Sequence, residues 1–424
     1  MPNSFSRRDF IKTSGTTLSA AMLAGATVPA FAAENNTLKV GLIGCGGRGS
    51  GAAHEALMAD KNTELVAMGD AFMDMVDTCL EKFQKSGVKA RVKVGDDGKF
   101  AGFDAFKHVI DACDVVVLAT PPHFRPEHLA YAVEKGVHVF CEKPVAVDGP
   151  GVRSVLATCE LAKKKGINVV SGLCYRYQFA KQDTLNRIHD GAVGDIMVME
   201  TKYNTGALWH KGRKEDWSDM EYQLRNWLYF DWLSGDHINE QHIHSLDKIA
   251  WAMKDVYPSK ATASGGRIQR TDNKYGNIYD HFNTTYEWES GVKAFSSCRQ
   301  WDKTSTNVSD HIFGTKGVAH IQEHTIEPHK GKTWRHKQTG KDNMYQNEHD
   351  ALFAAIRKGD VINNGEYMCN STLMAIMARM AAYTGKTISW DQALNSEQVL
   401  GPKTYGWTNV AINPVPQPGI TKFV

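Results

Sequence analysis

The 424-residue chain is short of the features that would point to several common classes. After its N-terminal segment no stretch reaches the roughly 18 apolar residues that span a bilayer, which argues against a membrane-spanning helix. Basic and acidic residues number 49 and 47, for a formal charge of +2, so the electrostatic footprint of a nucleic-acid partner is absent. The densest basic run, Lys163-Lys164-Lys165 before Gly166, reads as the solvated last turn of a helix. None of the eight cysteines (45, 79, 113, 141, 159, 174, 298, 369) stands in a Cys-x-x-Cys pair, the spacing of zinc and dithiol sites. Several lie in or beside apolar runs, and all eight read as free and structural. No repeat or low-complexity segment suggests a solenoid or array.

What is present begins with an address. Ser6-Arg7-Arg8-Asp9-Phe10-Ile11-Lys12 pairs two arginines ahead of a modestly apolar stretch from Leu18 to Val28, and Ala30-Phe31-Ala32 offers small residues for cleavage. This resembles a twin-arginine export signal over residues 1–33. No cysteine follows the apolar stretch, so no lipid anchor is expected, and the mature protein is expected to be soluble in the periplasm or otherwise outside the cytoplasm. The twin-arginine route carries proteins already folded, often around a cofactor.

From Leu38 onward short apolar runs alternate with amphipathic segments, the pattern of a parallel sheet with crossover helices. Strands are expected at Lys39–Ile43, Glu64–Met68, Arg91–Val94, Asp114–Ala119, Val137–Cys141 and Asn168–Cys174. Helices are expected at Gly49–Ala59, Met73–Ser86, Phe103–Asp111, Arg125–Lys135 and Val152–Lys165. After about Tyr177 stretches rich in Thr, Tyr, Phe and Val take over, suiting a mostly antiparallel sheet. These are Ile196–Tyr203, Lys260–Arg267, Ile278–Trp288, Val292–Cys298, Ser309–Phe313 and Val318–Ile321, with Gly314–Gly317 as a hairpin turn. Helices are expected at Asp236–Met253, Asn347–Lys358 and Ser371–Thr384.

Between the first strand and helix stand Gly44, Gly46, Gly47, Arg48 and Gly49, a Gly-x-Gly-x-x-Gly in the context the motif requires. Glycine allows the tight turn and the close approach of a pyrophosphate, and the helix N-terminus supplies amide donors. Asp70 ends the second strand, where an acid hydrogen-bonds the ribose 2′-hydroxyl and repels a 2′-phosphate. NAD is therefore preferred to NADP, although Arg48 would soften that repulsion. Thr120, Pro121, Pro122 and His123 follow the most apolar strand and should line the cofactor, since ligands bind beyond the carboxyl ends of parallel strands.

Glycine loop, Thr-Pro-Pro loop, Glu142-Lys143-Pro144 and a later acid-x-x-x-His element occur in the order seen in the Gfo/Idh/MocA oxidoreductases, which the chain resembles from Leu38 to about Asn395. The resemblance implies a Rossmann-type dinucleotide-binding domain followed by an α+β domain with a mostly antiparallel open sheet. It also implies that Glu142 and Lys143 lie at the cofactor, Lys143 touching substrate hydroxyl and nicotinamide ribose. Read alone, Lys143 is a strand-end lysine paired with Glu142. The acid and histidine of the family pattern match Glu240 and His244; family members commonly carry Asp at the first position, and Gly where Asp236 stands.

On one continuous helix Asp236, Glu240, His244 and Asp247 would share a wedge of roughly 80°. Oxidising a secondary alcohol needs a base for the hydroxyl proton, and histidine titrates in the useful range. His244 is assigned as general base, Glu240 as orienting it or holding a substrate hydroxyl, and Lys143 as sharing the proton. A metal site at His237, His242 and His244 is disfavoured by their spacing. Aromatics between Tyr203 and Trp232 suit a sugar ring, core packing or a subunit interface. Tyr175, Arg176, Trp209, Asp236, His237, His281 and Arg299 are the substrate-contact candidates, with Gln300 a weaker one.

The expected organisation is a signal over 1–33, an NAD-binding domain over 34–177, a substrate and oligomerisation domain over 178–365, and a C-terminal helix and tail over 366–424 packing back on both. The leading functional reading is an exported NAD-dependent oxidoreductase acting on a secondary hydroxyl of a sugar, glycoside or polyol, with a dimer or tetramer expected. A redox-neutral NAD-dependent glycosidase and a non-catalytic carbohydrate-binding protein are the alternatives.

Overall fold

The computed structural model describes residues 36–424; the expected export signal lies outside the described residues. The first sheet is parallel, with strands β1 (Leu38–Ile43), β2 (Thr63–Asp70), β3 (Lys99–Ala101), β4 (Val115–Leu118), β5 (His138–Cys141) and β6 (Val169–Ser171) in the order β3-β2-β1-β4-β5-β6, that of a Rossmann domain. Its crossovers are α1 (Gly47–Ala59), α2 (Met73–Gln84), α3 (Ala105–Asp111), α4 (Arg125–Lys135) and α5 (Gly149–Lys164). Burial on both faces explains the unbroken apolar run of β4. Val115 and Val117 pack with Ala52, Ala53 and Val76 on one side, Val116 and Leu118 with Val109, Leu129 and Val152 on the other. Lys163–Lys165 are exposed at the end of α5, and Gly166 follows with φ 70°.

The expected strand at Arg91–Val94 is not formed. A 3-10 turn occupies Lys89–Arg91, Val92 makes a single bridge to Leu65, and the third strand is β3, pairing with Met68–Asp70. The Asp96–Gly98 turn delivers the chain to that edge, and three partly exposed residues carry too little alternation to be recognised.

The second sheet contains β7 (Ile196–Thr205), β8 (Lys260–Gly266), β9 (His281–Glu287), β10 (Lys293–Gln300), β11 (Asn307–Gly314), β12 (Gly317–His320), β13 (Thr325–Pro328), β14 (Trp334–Arg335) and β15 (Ile388–Ser389). Their order is β14-β13-β12-β11-β7-β10-β9-β8-β15, antiparallel except for β7 with β10. One face packs on α6 (Ile243–Ala252) and α8 (Gly365–Thr384); the other leaves Met197, Phe295 and Phe313 exposed. Between them α7 (Met344–Lys358) returns to the first sheet, adding Leu352, Phe353 and Ile356 to its core. α8 is buried around nearly its whole circumference, so it has no polar face and its first turns carry no amphipathic signal. All eight cysteines are buried, reduced thiols. Among the described residues no helix is long and apolar enough to cross a membrane.

The helix expected over Asp236–Met253 is broken. A short piece, His237–Glu240, ends at Gln241, and α6 begins after His242. The His242 N–H reaches back to the His237 carbonyl, one residue beyond the α-helical partner, and its ring turns to the sheet to meet Ser296 Oγ at 2.6 Å.

Candidate functional site

The glycine loop is shaped by contacts that only glycine tolerates. Gly44 has φ 95°, and a Cβ there would meet the Ala119 carbonyl carbon at 2.6 Å. A Cβ on Gly49 would lie 1.9 Å from the Gly44 carbonyl oxygen, whereas Gly46 and Gly47 face open space. The result is a cradle bare of side chains at the N-terminus of α1, which fits a pyrophosphate approaching backbone amides. Asp70 borders it: its carboxylate accepts from Cys45 N at 2.7 Å and Phe72 N at 3.2 Å. Burial pushes the Asp70 pKa up, against these amide donors.

A cleft of about 490 Å³ opens beyond the carboxyl ends of β1, β2 and β4, lined by the glycine loop, Asp70, Thr120 and Pro121. Its opposite wall comes from the second domain and includes Trp209, Lys211, Arg225 and Trp227. Trp209, read from sequence as a sugar contact, is thus a wall of the dinucleotide cleft. Arg48 is held by Glu142 at 2.8 Å and Glu55 at 2.6 Å, with its guanidinium over the Tyr345 ring. Glu142 therefore pairs with Arg48 rather than Lys143, and Arg48 is already committed to carboxylates. His123, beside the buried Pro122, bonds Tyr405 Oη at 2.8 Å, and burial pushes its pKa down to about 4, leaving it neutral.

Lys143 follows β5, with a cis bond to Pro144. Its ammonium donates to the backbone carbonyl of Glu240 and lies 3.6 Å from the Glu240 carboxylate. His244, half-buried, presents its ring edge-on to Tyr175, with centroids 5.3 Å apart. The expectation that Glu240 orients His244 is not met: the carboxylate turns to Lys143, and His244 Nδ1 is buried without a partner among the described residues. Burial first, then the positive charges of Lys143, Lys248, Arg48 and Lys181, hold the His244 pKa well below its ordinary value. The imidazole is therefore neutral at pH 7 and keeps one unprotonated ring nitrogen.

Behind Tyr175 lies a group that sequence reasoning missed. The ammoniums of Lys181 and Lys248 sit 4.4 and 4.6 Å from its ring centroid. Lys248 pairs with Asp310, which also accepts from Thr201 Oγ1, all fully buried. Burial, then the charge of Lys248, pushes the Lys181 pKa down to about 7. A signal existed for Asp310, which shares the inward face of β11 with Ile312.

Most other substrate-contact candidates have structural duties. Arg176 is sunk between Asp247 and Asp255, with nitrogens 2.8 and 2.6 Å from their carboxylates, and faces the Trp251 and Tyr367 rings. Asp236 is fully buried in a conformation (φ 71°, ψ 166°) that is essentially glycine's. Its carboxylate holds the position by accepting from His237 N at 2.5 Å, Tyr279 N at 2.7 Å and Tyr383 Oη at 2.6 Å. His237 bonds that same carboxylate, at 2.9 Å. His281 pairs with Asp280 at 2.9 Å, and Arg299 bonds Thr304 Oγ1 at 2.6 Å and the Ser305 carbonyl at 2.9 Å. Gln300 Nε2 donates to Gln241 Oε1 at 3.0 Å. Of these candidates Tyr175 sets its ring against the His244 member of the Lys143–Glu240–His244 group. Among the described residues no His, Cys, Asp or Glu cluster has metal-ligand geometry.

Residues 38–173 match the family model described as "Oxidoreductase family, NAD-binding Rossmann fold". The 2,7-anhydro-N-acetylneuraminate hydratase of Escherichia coli (strain K12) is 29% identical over 211 residues, 49% of this chain and 51% of its own. The D-glucoside 3-dehydrogenase of the same strain is 24% identical over 288 residues, 67% of this chain and 68% of its own. The chain spans about half the length of the hydratase and of other curated relatives. The aldose-aldose oxidoreductase from Caulobacter crescentus superposes with a TM-score of 0.64 at 18% identity, covering 84% of this chain and 100% of that one. At that identity the likeness is one of fold.

Proposed function

We propose, from the membership of residues 38–173 in the Gfo/Idh/MocA oxidoreductase family with its NAD-binding Rossmann fold, that the protein is an exported NAD-dependent oxidoreductase. Its substrate is a secondary hydroxyl of a sugar, glycoside or polyol, and its nicotinamide cofactor is tightly held. NAD in the glycine-loop cleft supplies the hydride acceptor. Asp70 disfavours a 2′-phosphate there, and Arg48 is spent on Glu142 and Glu55.

The observation that carries this reading is the meeting of Lys143, from the end of a Rossmann strand, with the Glu240–His244 segment of the second domain. Lys143 and Glu240 position the carbinol oxygen. His244, neutral and with Nδ1 enclosed, takes the hydroxyl proton on Nε2 as the carbinol hydrogen departs. In the return half-reaction the same imidazolium would give its proton to the oxygen of a second carbonyl compound, while the carbonyl carbon would take the hydride from a bound reduced nicotinamide. Tyr175, edge-on to His244, holds the ring in place. A sugar-derived substrate is supported by the names of the dehydrogenase and hydratase relatives. Export is supported by the arginine pair and small-residue ending of the N-terminal segment, and a homo-oligomer by the apolar residues on the open sheet face.

Mass spectrometry of the small molecules released from purified protein tests the cofactor, and a sugar and glycoside panel followed by nicotinamide absorbance tests the reaction. Protein that neither carries nor binds a nicotinamide dinucleotide refutes the proposal. One observation favours a redox-neutral second reading: a relative at 29% identity is a hydratase by name. Net glycoside cleavage or hydration without cofactor turnover would put that reading first, and tight binding of carbohydrate that is never altered would leave only a binding protein.

A further inference from the structure

The loops that end β2, β3 and β4 carry Phe72, Phe103 and Phe124, rings that a free-standing dinucleotide-binding domain would show to water. Here they are covered by chain from elsewhere. Trp407 packs on Phe72 and Phe103 with centroids 5.3 and 4.9 Å apart, and Tyr405 on Phe103 and Phe124 at 5.4 Å each. Gly401 is seated against His123, where a Cβ would meet the imidazole at 2.2 Å. From the other side the Arg225 guanidinium lies 3.9 Å from the Phe72 ring centroid and binds both oxygens of Asp74 at 3.0 Å.

The tail that carries Tyr405 and Trp407 is tied at both ends. Leu400 N donates to Asp148 Oδ2 at 3.2 Å, in the first domain. The Thr408 carbonyl accepts from Met220 N at 3.1 Å and the Val410 carbonyl from Gln223 Nε2 at 2.8 Å, in the second. Packed on Phe72 and Phe103 of the cleft lining, it therefore runs beside the Asp70 end of the cleft, the end a Rossmann fold gives to the adenosine half of a dinucleotide. Trp209 and Trp227 wall the cleft from the second domain.

We propose that Leu400–Val410 is part of the cofactor site: a strap that, with the Trp209–Trp227 wall, cages the adenosine half of NAD so that it is not exchanged between turnovers. This rests on the NAD-dependent reading above and adds the residues responsible. A cofactor that stays must be reoxidised in place, so the enzyme would be fed alternately by an alcohol and a carbonyl compound.

The test follows release rather than activity. Full-length protein is loaded with labelled NAD, chased with excess unlabelled NAD, and compared with Trp407→Ala and Gly401→Ala; the first removes the ring, the second pushes the tail off His123. Trp407 is 46% exposed, so its replacement opens no core. Each variant should release NAD about tenfold faster or more, equivalent to ~1.4 kcal/mol, while cofactor-free protein still melts in one cooperative transition. Nicotinamide mononucleotide, which lacks the adenosine half, should bind wild type and both variants alike. Wild type that binds NAD but releases it as fast as both variants overturns the strap alone. Wild type that binds no dinucleotide overturns the strap together with the NAD-dependent reading.

Discussion

Replacing Arg176 with methionine separates a structural role for this side chain from the substrate contact its position suggested. The guanidinium binds Asp247 through Nε and one terminal nitrogen, at 2.8 to 3.1 Å, and Asp255 through both terminal nitrogens, at 2.6 and 3.1 Å. The two carboxylates do not lose equally. The Asp255 side chain is 35% exposed and would rehydrate, a loss of about 0–1 kcal/mol. Asp247 is 1% exposed, and its remaining side-chain partner is the Ser371 hydroxyl at 2.8 Å. Removing one member of a buried pair costs about 3–5 kcal/mol because the other charge stays behind, so Arg176→Met should lose roughly that much. The double variant Arg176→Met/Asp247→Asn leaves no buried charge and should recover most of the loss. Urea unfolding of cofactor-free wild type, both single variants and the double variant yields the coupling energy directly. A single-variant loss under about 1 kcal/mol, with no recovery in the double, would refute the reasoning and return Arg176 to the substrate.

Other substitutions probe the loop and the buried charges. Gly49→Ala puts a methyl into the Gly44 carbonyl and should weaken NAD binding about a hundredfold or more, ~2.7 kcal/mol, measured by titration calorimetry. Glu348 is fully buried with neither oxygen partnered among the described residues, and burial, then Glu142, raises its pKa well above the ordinary value. Its neutral carboxyl therefore suits the fold below the unfolded pKa of about 4.3, and that advantage disappears as pH rises through the folded pKa. Glu348→Gln should melt higher than wild type at alkaline pH and close to it in acid, read by thermal shift across pH. Lys143 is one of the charges that depress His244, so Lys143→Met should move the His244 imidazole titration to higher pH in NMR spectra, and an unmoved titration would place the two groups apart.

Residues that obey a local rule were legible. The apolar run of β4 announced a strand buried on both faces, and the glycine spacing between β1 and α1 announced the turn, where Gly49 is forced by the nearby Gly44 carbonyl. Illegible were the charges whose partners lie far along the chain. Nothing local distinguishes Arg176 from a cleft arginine, since Asp247 and Asp255 are 71 and 79 residues distant. Lys248 stands within an apolar helix but is explained only by Asp310 on another strand. The tail has no periodicity at all; its place is set by aromatic pairs with three separate loops. The helical wheel of Asp236 to Asp247 failed for a different reason, because an extra residue at Gln241–His242 resets the rotation between its halves.

That interruption frees a main-chain acceptor. In an unbroken spiral the Glu240 carbonyl oxygen would be taken by the amide of His244; here it is left to Lys143. The lysine is thereby moored to the main chain as well as to a carboxylate, and a main-chain oxygen survives every mutation of the residue that bears it. Exchanging the acid at position 240 would therefore leave the ammonium tethered to the main chain.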